Sequence, residues 1–334
     1  MSPRLRWHCC CKHGQRSGNY VRGHFPGRSM TAHSTMRIHT PADFNFWRTV
    51  YSHGWSDLPP FRIDPAARSL SRVFVLSSGR IVPCTCTGLR QSLRCTLPQS
   101  EVLNTDERCD LLRQIRTVFR LDEDFTLFHR EARRYPAYRW ISRARAGRLL
   151  RAPTMFEDAV KMICTTNCTW ALTTIMVKAL IGSFGPSHGS AVAFPDPTSL
   201  AGSTETQLRK ECSTGYRSRS LLELAEKVAR GALDIEGWRI SSQTTADLFT
   251  EMCTVRGIGP YAAGNLLKLA GRYEHLGLDS WVRGKWYSLH TRGRKVSDRT
   301  IEKFYAPYGS WRGLFVWLEM TREWHDEKFA KPFP

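Results

Sequence analysis

Two short stretches carry residue types at spacings that can do chemistry. One is 256-RGIGPYAAG-264, with glycines at 257 and 259 ahead of Pro260; the other is 278-LDSW-281, with its aspartate. Glycine tolerates positive φ and lets a ligand approach the backbone, and proline suits the first position of a helix, where its missing N–H costs nothing. The amides from Ile258 to Tyr261 then stand at a helix N-terminus, which binds phosphate without any charged side chain. The same residues also suit a plain tight turn between two core helices. Asp279 has two readings as well. A fixed carboxylate stabilises positive charge developing beside it and orients a water, and aspartate is equally a preferred cap for the helix 280-SWVRGKWYSLH-290. The two roles are compatible, because the partial positive charge of a helix start favours an ionised carboxylate.

These residues need elements to hold them. In 244-TTADLFTEMCTV-255, Leu248, Met252 and Val255 fall on one stripe, as do Ala263, Leu266, Leu267 and Ala270 in 260-PYAAGNLLKLAG-271, the mark of amphipathic helices. Only Arg256, Gly257, Ile258 and Gly259 join them, so the pair is antiparallel or steeply crossed. Lys268 is the nearest lysine in the second helix, but seven positions beyond Tyr261 displace it by roughly 10 Å along the axis, which argues against a shared site. Helical periodicity recurs in 107–119, 154–185, 204–212 and 218–231, with Phe156, Val160 and Ile163 as one example. In 304-FYAPYGSWRGLFVWLEMTREW-324, Tyr308, Trp311, Leu314, Trp317 and Leu318 predict a core helix closing the fold.

Earlier in the chain the texture differs. The runs 72-RVFVLSS-78, 80-RIVPCTCT-87 and 90-RQSLRCTL-97 predict a small antiparallel sheet with turns at 78-SG-79 and 88-GL-89. The loop 52-SHGWSDLPPF-61 precedes them, punctuated by Gly and Pro and holding a Trp and a Phe, and it suits either the edge of a cleft or a hydrophobic lid. The fold class is therefore α+β, mainly α: an antiparallel sheet domain over 37–105 and a helical domain over 106–328. Residues 1–36 contain several arginines, four histidines and no acidic residue, a composition that cannot fold alone. They read as a disordered basic tail, and a targeting peptide or a start assigned upstream of Met30 or Met36 suits them better than a basic DNA-contacting arm. The 8-HCCCKH-13 cluster has metal-ligand residue types, but adjacent cysteines wrap one tetrahedral ion poorly.

The chain has 334 residues, and 49 Lys and Arg against 30 Asp and Glu give a formal net charge of +19. Such a field attracts a polyanion, and no long apolar span points to a membrane. Eleven cysteines, scattered and mostly within apolar runs such as 162-MICTTNC-168, read as reduced buried thiols in a reducing compartment. Cys164 and Cys168 are four apart, which on a continuous helix would put both on one face, but packing explains them better than a metal does, and none is assigned.

The run G-I-G-P-x-x-A followed by LDxxV resembles the helix-hairpin-helix DNA glycosylases of base-excision repair, nearest to the 3-methyladenine and 8-oxoguanine branch. The resemblance implies that the amides of Gly257, Ile258 and Gly259, with Arg256, grip a DNA phosphate, and that Asp279 drives cleavage of the glycosidic bond. Residues 157–185, 194–201 and 215–226 are similar to that family's central helices, and 52–61 with the sheet to its N-terminal domain, so coverage runs from about 38 to 325. Asn167 falls where the 8-oxoguanine enzymes place an asparagine in the gap left by the flipped base. Tyr216 and Arg217 match residues that wedge the duplex and contact the opposite base. A second arginine expected near Leu172 is missing, so specificity for cytosine opposite the lesion does not carry over. Bifunctional members carry a nucleophilic lysine where this chain has Tyr261, and alkyladenine-type members carry an aromatic there, which implies a monofunctional hydrolase. The iron–sulfur subgroup places four cysteines after its aspartate, whereas the last cysteine here is Cys253.

Such an enzyme flips the target base out of the stack and holds it between aromatic faces. Tyr261, Trp281, Trp170 and Trp55 are the candidate walls, and each is equally suited to core packing. Aromatic faces favour a cationic alkylated purine over a neutral oxidised one. Arg256, Arg217, Arg272, Arg283 and Lys285 are candidates for the phosphate track. The expectations are an intracellular, DNA-associated monomer without cofactor, acting on damaged duplex DNA. A non-enzymatic hairpin module that binds DNA is the reading from another class, although a binder of a polyanion needs no Asp279.

Overall fold

The computed structural model describes residues 34–99 and 101–329. The 8-HCCCKH-13 cluster and the tail as far as residue 33 lie outside the described residues. Alternation of apolar and polar residues builds five strands: β1 (Thr35–His39), β2 (Arg62–Asp64), β3 (Ser69–Val75), β4 (Ile81–Leu89) and β5 (Ser92–Thr96). They form one antiparallel sheet in the order β1-β5-β4-β3-β2. In β4, Val82, Cys84 and Cys86 point into the core while Ile81, Pro83 and Thr85 are less buried, the period of two that a half-covered strand requires. Pro83 is tolerated in this inner strand because β5 pairs only from Thr85 onward, so the missing N–H falls beyond the end of that ladder. Strand pairing begins at Thr35, inside the segment expected to be tail.

The expected turn at Ser78-Gly79 forms, with Gly79 at φ 81° and its amide on the Leu76 carbonyl. The turn expected at 88-GL-89 lies elsewhere. β4 runs through both residues, and the chain reverses at Arg90 and Gln91, with Gln91 at φ 56°. Gly88 serves packing instead, since a Cβ there would meet Phe46 at 2.5 Å.

Helices occupy most of the chain after residue 104, and several of their starts follow capping rules. Asn104 and Glu107 form a reciprocal capping box on Thr105–Phe119, and Thr154 and Thr169 cap Met155–Thr165 and Trp170–Phe184. The amides of Met155 and Phe156 also donate to the Glu236 carboxylate. The sheet is tied to Met155–Thr165 by a buried cluster in which Glu157 receives Arg72 (2.9 Å) and Lys161 (2.7 Å). Burial opposes ionisation there, but the two cations hold the Glu157 carboxyl down to about 2. The predicted closing helix is broken: Gly309 adopts φ 55° and ψ −130°, so 306–311 is a kinked 3-10 segment and the α-helix is Arg312–Met320. Leu314 and Leu318 are core residues, as expected. No helix among the described residues is long and apolar enough to cross a membrane.

Candidate active site

The hairpin forms as the spacing requires, with helices Thr245–Thr254 and Pro260–Ala270. Gly257 is left-handed at φ 87°, and a Cβ on it would meet Ser220 at 2.7 Å, so both conformation and packing demand glycine. Gly259 differs from expectation. Its φ is −86° in extended backbone, open to other residues, and nothing lies within 4 Å of where its Cβ would be. Its contribution is an open surface over the helix start, not a positive φ. The Ile258 amide is likewise not available, because it closes the turn on the Val255 carbonyl at 2.9 Å, with the side chain buried. The first-turn amides of Tyr261 and Ala262, which have no intrahelical acceptor, and the amide of Gly259 remain. No side chain caps this helix, and Arg256 is exposed beside it.

Asp279 is the N-cap of Ser280–Thr291: its Oδ1 accepts the Val282 amide at 2.6 Å. It is half-buried and stands at the wall of a cleft of about 600 Å³ lined also by Tyr51, Trp55, Trp170, Tyr261, Trp281 and Trp317. All four predicted aromatic walls therefore meet in one cleft with the aspartate, although they are unequal. Trp55 is at the core end, buried, with its indole N–H on Asp158 (2.7 Å). Trp170 and Trp281 are the accessible faces. Trp170 is packed against the backbone of Gly54, where a Cβ would strike its ring at 2.4 Å. Trp281 stacks on Trp324 with centroids 5.2 Å apart. Burial, with a further push from Asp279, raises the Tyr261 phenol to about 12, so it stays protonated.

Lys268 corrects the expectation drawn from helix geometry. It lies 2% exposed in the wall of the same cleft. Axial rise does separate it from Tyr261, but Asp279 arrives on a loop that folds back along the helix. Gly264 and Gly277 make that approach possible, since a Cβ on Gly264 would meet the Gly277 Cα at 2.9 Å. The Lys268 Nζ donates to the Leu276 carbonyl (2.7 Å) and to Asn265 Oδ1 (3.1 Å), tethering the loop that leads to Asp279. Burial lowers this amine to about 7 against the opposing attraction of Asp279. His53, Asp57 and Trp324, also in the wall, were missed by sequence reasoning, for no local pattern links them to the hairpin. Burial brings the His53 imidazole down to about 4, despite its bond to the Leu150 carbonyl, so it is neutral.

Asn167, Tyr216 and Arg217 come together as a separate group. Asn167 is exposed in the link between the two central helices at φ 47°, and its Nδ2 donates to the Tyr216 hydroxyl at 3.3 Å. Tyr216 is 61% exposed. Arg217 is buried beneath its ring, 4.5 Å from the centroid, and donates from Nε to the Thr166 carbonyl at 3.1 Å. Most residues expected along the phosphate track have internal partners: Arg272 the Gln243 carbonyl (2.7 Å), Arg283 Asp298 (2.7 Å), Lys285 Glu323 (2.8 Å). A solvated or structural role accounts for these three.

No protein-family model matches this sequence, and no curated protein matches it by sequence. Solved structures do match. The 3-methyladenine DNA glycosylase of Archaeoglobus fulgidus superposes with a TM-score of 0.70 at 16% identity, covering 89% of this chain and 100% of that one. The apo 8-oxoguanine glycosylase/lyase of Clostridium acetobutylicum gives 0.68 at 17% identity, covering 86% and 97%. MBOgg1 in complex with a low-affinity DNA ligand gives 0.68 at 20% identity, covering 87% and 96%. This chain has the α+β fold of solved 3-methyladenine and 8-oxoguanine DNA glycosylases.

Proposed function

We propose that the protein is a DNA glycosylase that hydrolyses the N-glycosidic bond of a flipped-out damaged purine in duplex DNA, acting as a monomer and leaving an abasic site. The observation that carries this reading is Asp279 in an aromatic-walled cleft beside an uncapped hairpin helix. Oδ1 is held by the Val282 amide, which leaves Oδ2 for the reacting centre. As the bond from the sugar C1′ to the base nitrogen breaks, its electron pair leaves with the base and positive charge builds on the sugar. Asp279 stabilises that charge, orients the attacking water and accepts its proton.

An alkylated purine is the favoured substrate. It is cationic, gains from the faces of Trp170 and Trp281, and leaves as a neutral base, so the reaction needs no strong general acid. Neither Tyr261 nor the neutral His53 supplies one. The test is incubation with duplexes carrying alkylated, oxidised or deaminated bases, followed by hot alkali. Alkali-dependent cleavage at an alkylated purine is expected, and its absence across the panel overturns the reading.

A second reading keeps the substrate and adds strand cleavage through a Schiff base. The buried amine of Lys268 in the same cleft favours it, since desolvated lysines are nucleophilic near neutral pH. Its bonds to Leu276 and Asn265 favour the tethering role. Borohydride trapping separates the two: a covalent protein–DNA adduct supports the lyase, and none supports the hydrolase.

A further inference from the structure

Far along the fold from the hairpin, three cysteines converge within the sheet. β4 turns Cys84 and Cys86 to the same inward face, and the register sets Cys95 of β5 directly opposite Cys86. The three sulfurs lie within 4.8 Å of one another, all buried, and Cys86 Sγ is 3.8 Å from Cys95 Sγ. A metal–thiolate bond of about 2.3 Å requires sulfur separations of about 3.8 Å in a tetrahedral site and about 4.0 Å in a trigonal one. One ion therefore fits among these sulfurs with side-chain adjustment alone. A disulfide accounts for two of the three at most. A fourth soft donor is adjacent, because Met36 of β1 is the partner of Cys95 on its other side, and directly paired residues share a face of the sheet.

We propose that Cys84, Cys86 and Cys95 form a binding site for a single thiophilic metal ion, with the Met36 thioether on its border. The chemical class rests on the donors. Thiolate and thioether sulfur select monovalent copper or divalent zinc, whereas hard cations such as calcium and magnesium require oxygen. Each coordinating thiol gives its proton to solvent on binding, and the ion replaces those protons within the cluster. The ion staples β4 to β5, and β4 is paired along its length with β3, which carries Arg72 and its ion pair to Glu157. The site is independent of the glycosylase reading and stands or falls without it.

The test uses the full chain purified under reducing conditions, in a parent with Cys9, Cys10 and Cys11 replaced by serine so that the N-terminal thiols do not contribute. Zinc(II) alone, and copper(I) alone under anaerobic conditions, are added in separate arms and excess metal is removed. The parent is expected to retain about one equivalent in at least one arm. It should show a sulfur-to-metal charge-transfer band and X-ray absorption with about three sulfur neighbours at about 2.3 Å. Cys95→Ala in that parent is expected to lose the band, the retained metal and any rise in melting temperature on metal addition. Equal retention by parent and Cys95→Ala overturns the site, as does a folded parent that retains neither metal. The parent measurement stands alone should Cys95→Ala fail to fold.

Discussion

Two clefts of nearly equal volume open on this molecule, and their chemistry differs. One, of about 610 Å³, is lined by Arg113, Glu123, Arg151, Glu236 and Arg239 with Tyr273 and Trp311. Its charges are engaged with the fold: Arg151 with Glu123 (3.2 Å), Arg239 with Asp158 (2.8 Å), Glu236 with the Met155 and Phe156 amides. The other, of about 600 Å³, has aromatic walls and a carboxylate bound through one oxygen to a helix start. Volume alone does not separate the two. The distinction is that balanced charges hold elements in place, whereas a carboxylate with an uncommitted oxygen in an aromatic cleft is available to a substrate.

The largest expected effect tests that distinction at Asp279. Asparagine is also a good N-cap, so Asp279→Asn should leave melting within about 0.5 kcal/mol of the parent while lowering single-turnover excision by about 10²- to 10⁴-fold. Unchanged excision with intact DNA binding would remove Asp279 from the chemistry and revive the reading as a hairpin module that only binds. The polar cleft should respond in the opposite way. Arg239→Met leaves the buried Asp158 without its ion pair, and a loss of about 3 kcal/mol in denaturant unfolding is expected, with excision by the folded fraction within a factor of two or so of the parent. A selective loss of activity there would mean that the two clefts are not functionally distinct.

A smaller effect distinguishes the aromatic walls. Trp281 is 39% exposed and stacked on Trp324, and one base–aromatic stack contributes about 1–3 kcal/mol. Trp281→Ala should therefore weaken excision of a cationic alkylated base by about tenfold, and of a neutral lesion by less. Equal loss on both would leave Trp281 as packing and return the substrate preference to the open question of oxidised against alkylated bases.

Short-range features are legible in the sequence. Gly257, Pro260 and the stripes of the two flanking helices lie within one continuous stretch, so local propensity and period decide them. The cap role of Asp279 is legible because Ser280 to Val282 open a helix directly after it, whereas its proposed catalytic role rests on the resemblance carried by the hairpin and the aspartate together. The features that escape depend on distant chain. Gly88 reads as a turn residue because its packing partner Phe46 is remote in sequence. Gly309 breaks a helix whose apolar spacing predicts continuity. The loop 52–61 is legible as a cleft edge through Trp55, but Tyr51, His53 and Asp57, which reach the same cleft from its start, carry no pattern that singles them out. Lys268 is set aside by an axial distance that is correct for the helix and irrelevant to the loop lying on it.

Lys268 also provides the finest comparison of the clefts, through pH. Its folded-state value of about 7 is below the usual lysine value of about 10.4, so between these limits the unfolded chain holds a proton that the folded chain lacks. Stability from this group therefore rises with pH across that window, at up to about 1.4 kcal/mol per pH unit, and burial of the amine is most costly below pH 7. Arg151 in the polar cleft is pushed down to about 9, by burial and then by Arg120 and Arg239, so its contribution is small below about pH 8 and grows above it. Denaturant unfolding from pH 7 to 8 should show a rise in the parent that Lys268→Met lacks, with Arg151 nearly silent in both. A parent flat over this range would mean that Lys268 is fully charged when folded. In that state the amine is a tether for the Leu276 carbonyl and no nucleophile, which would remove the support for strand cleavage by this chain.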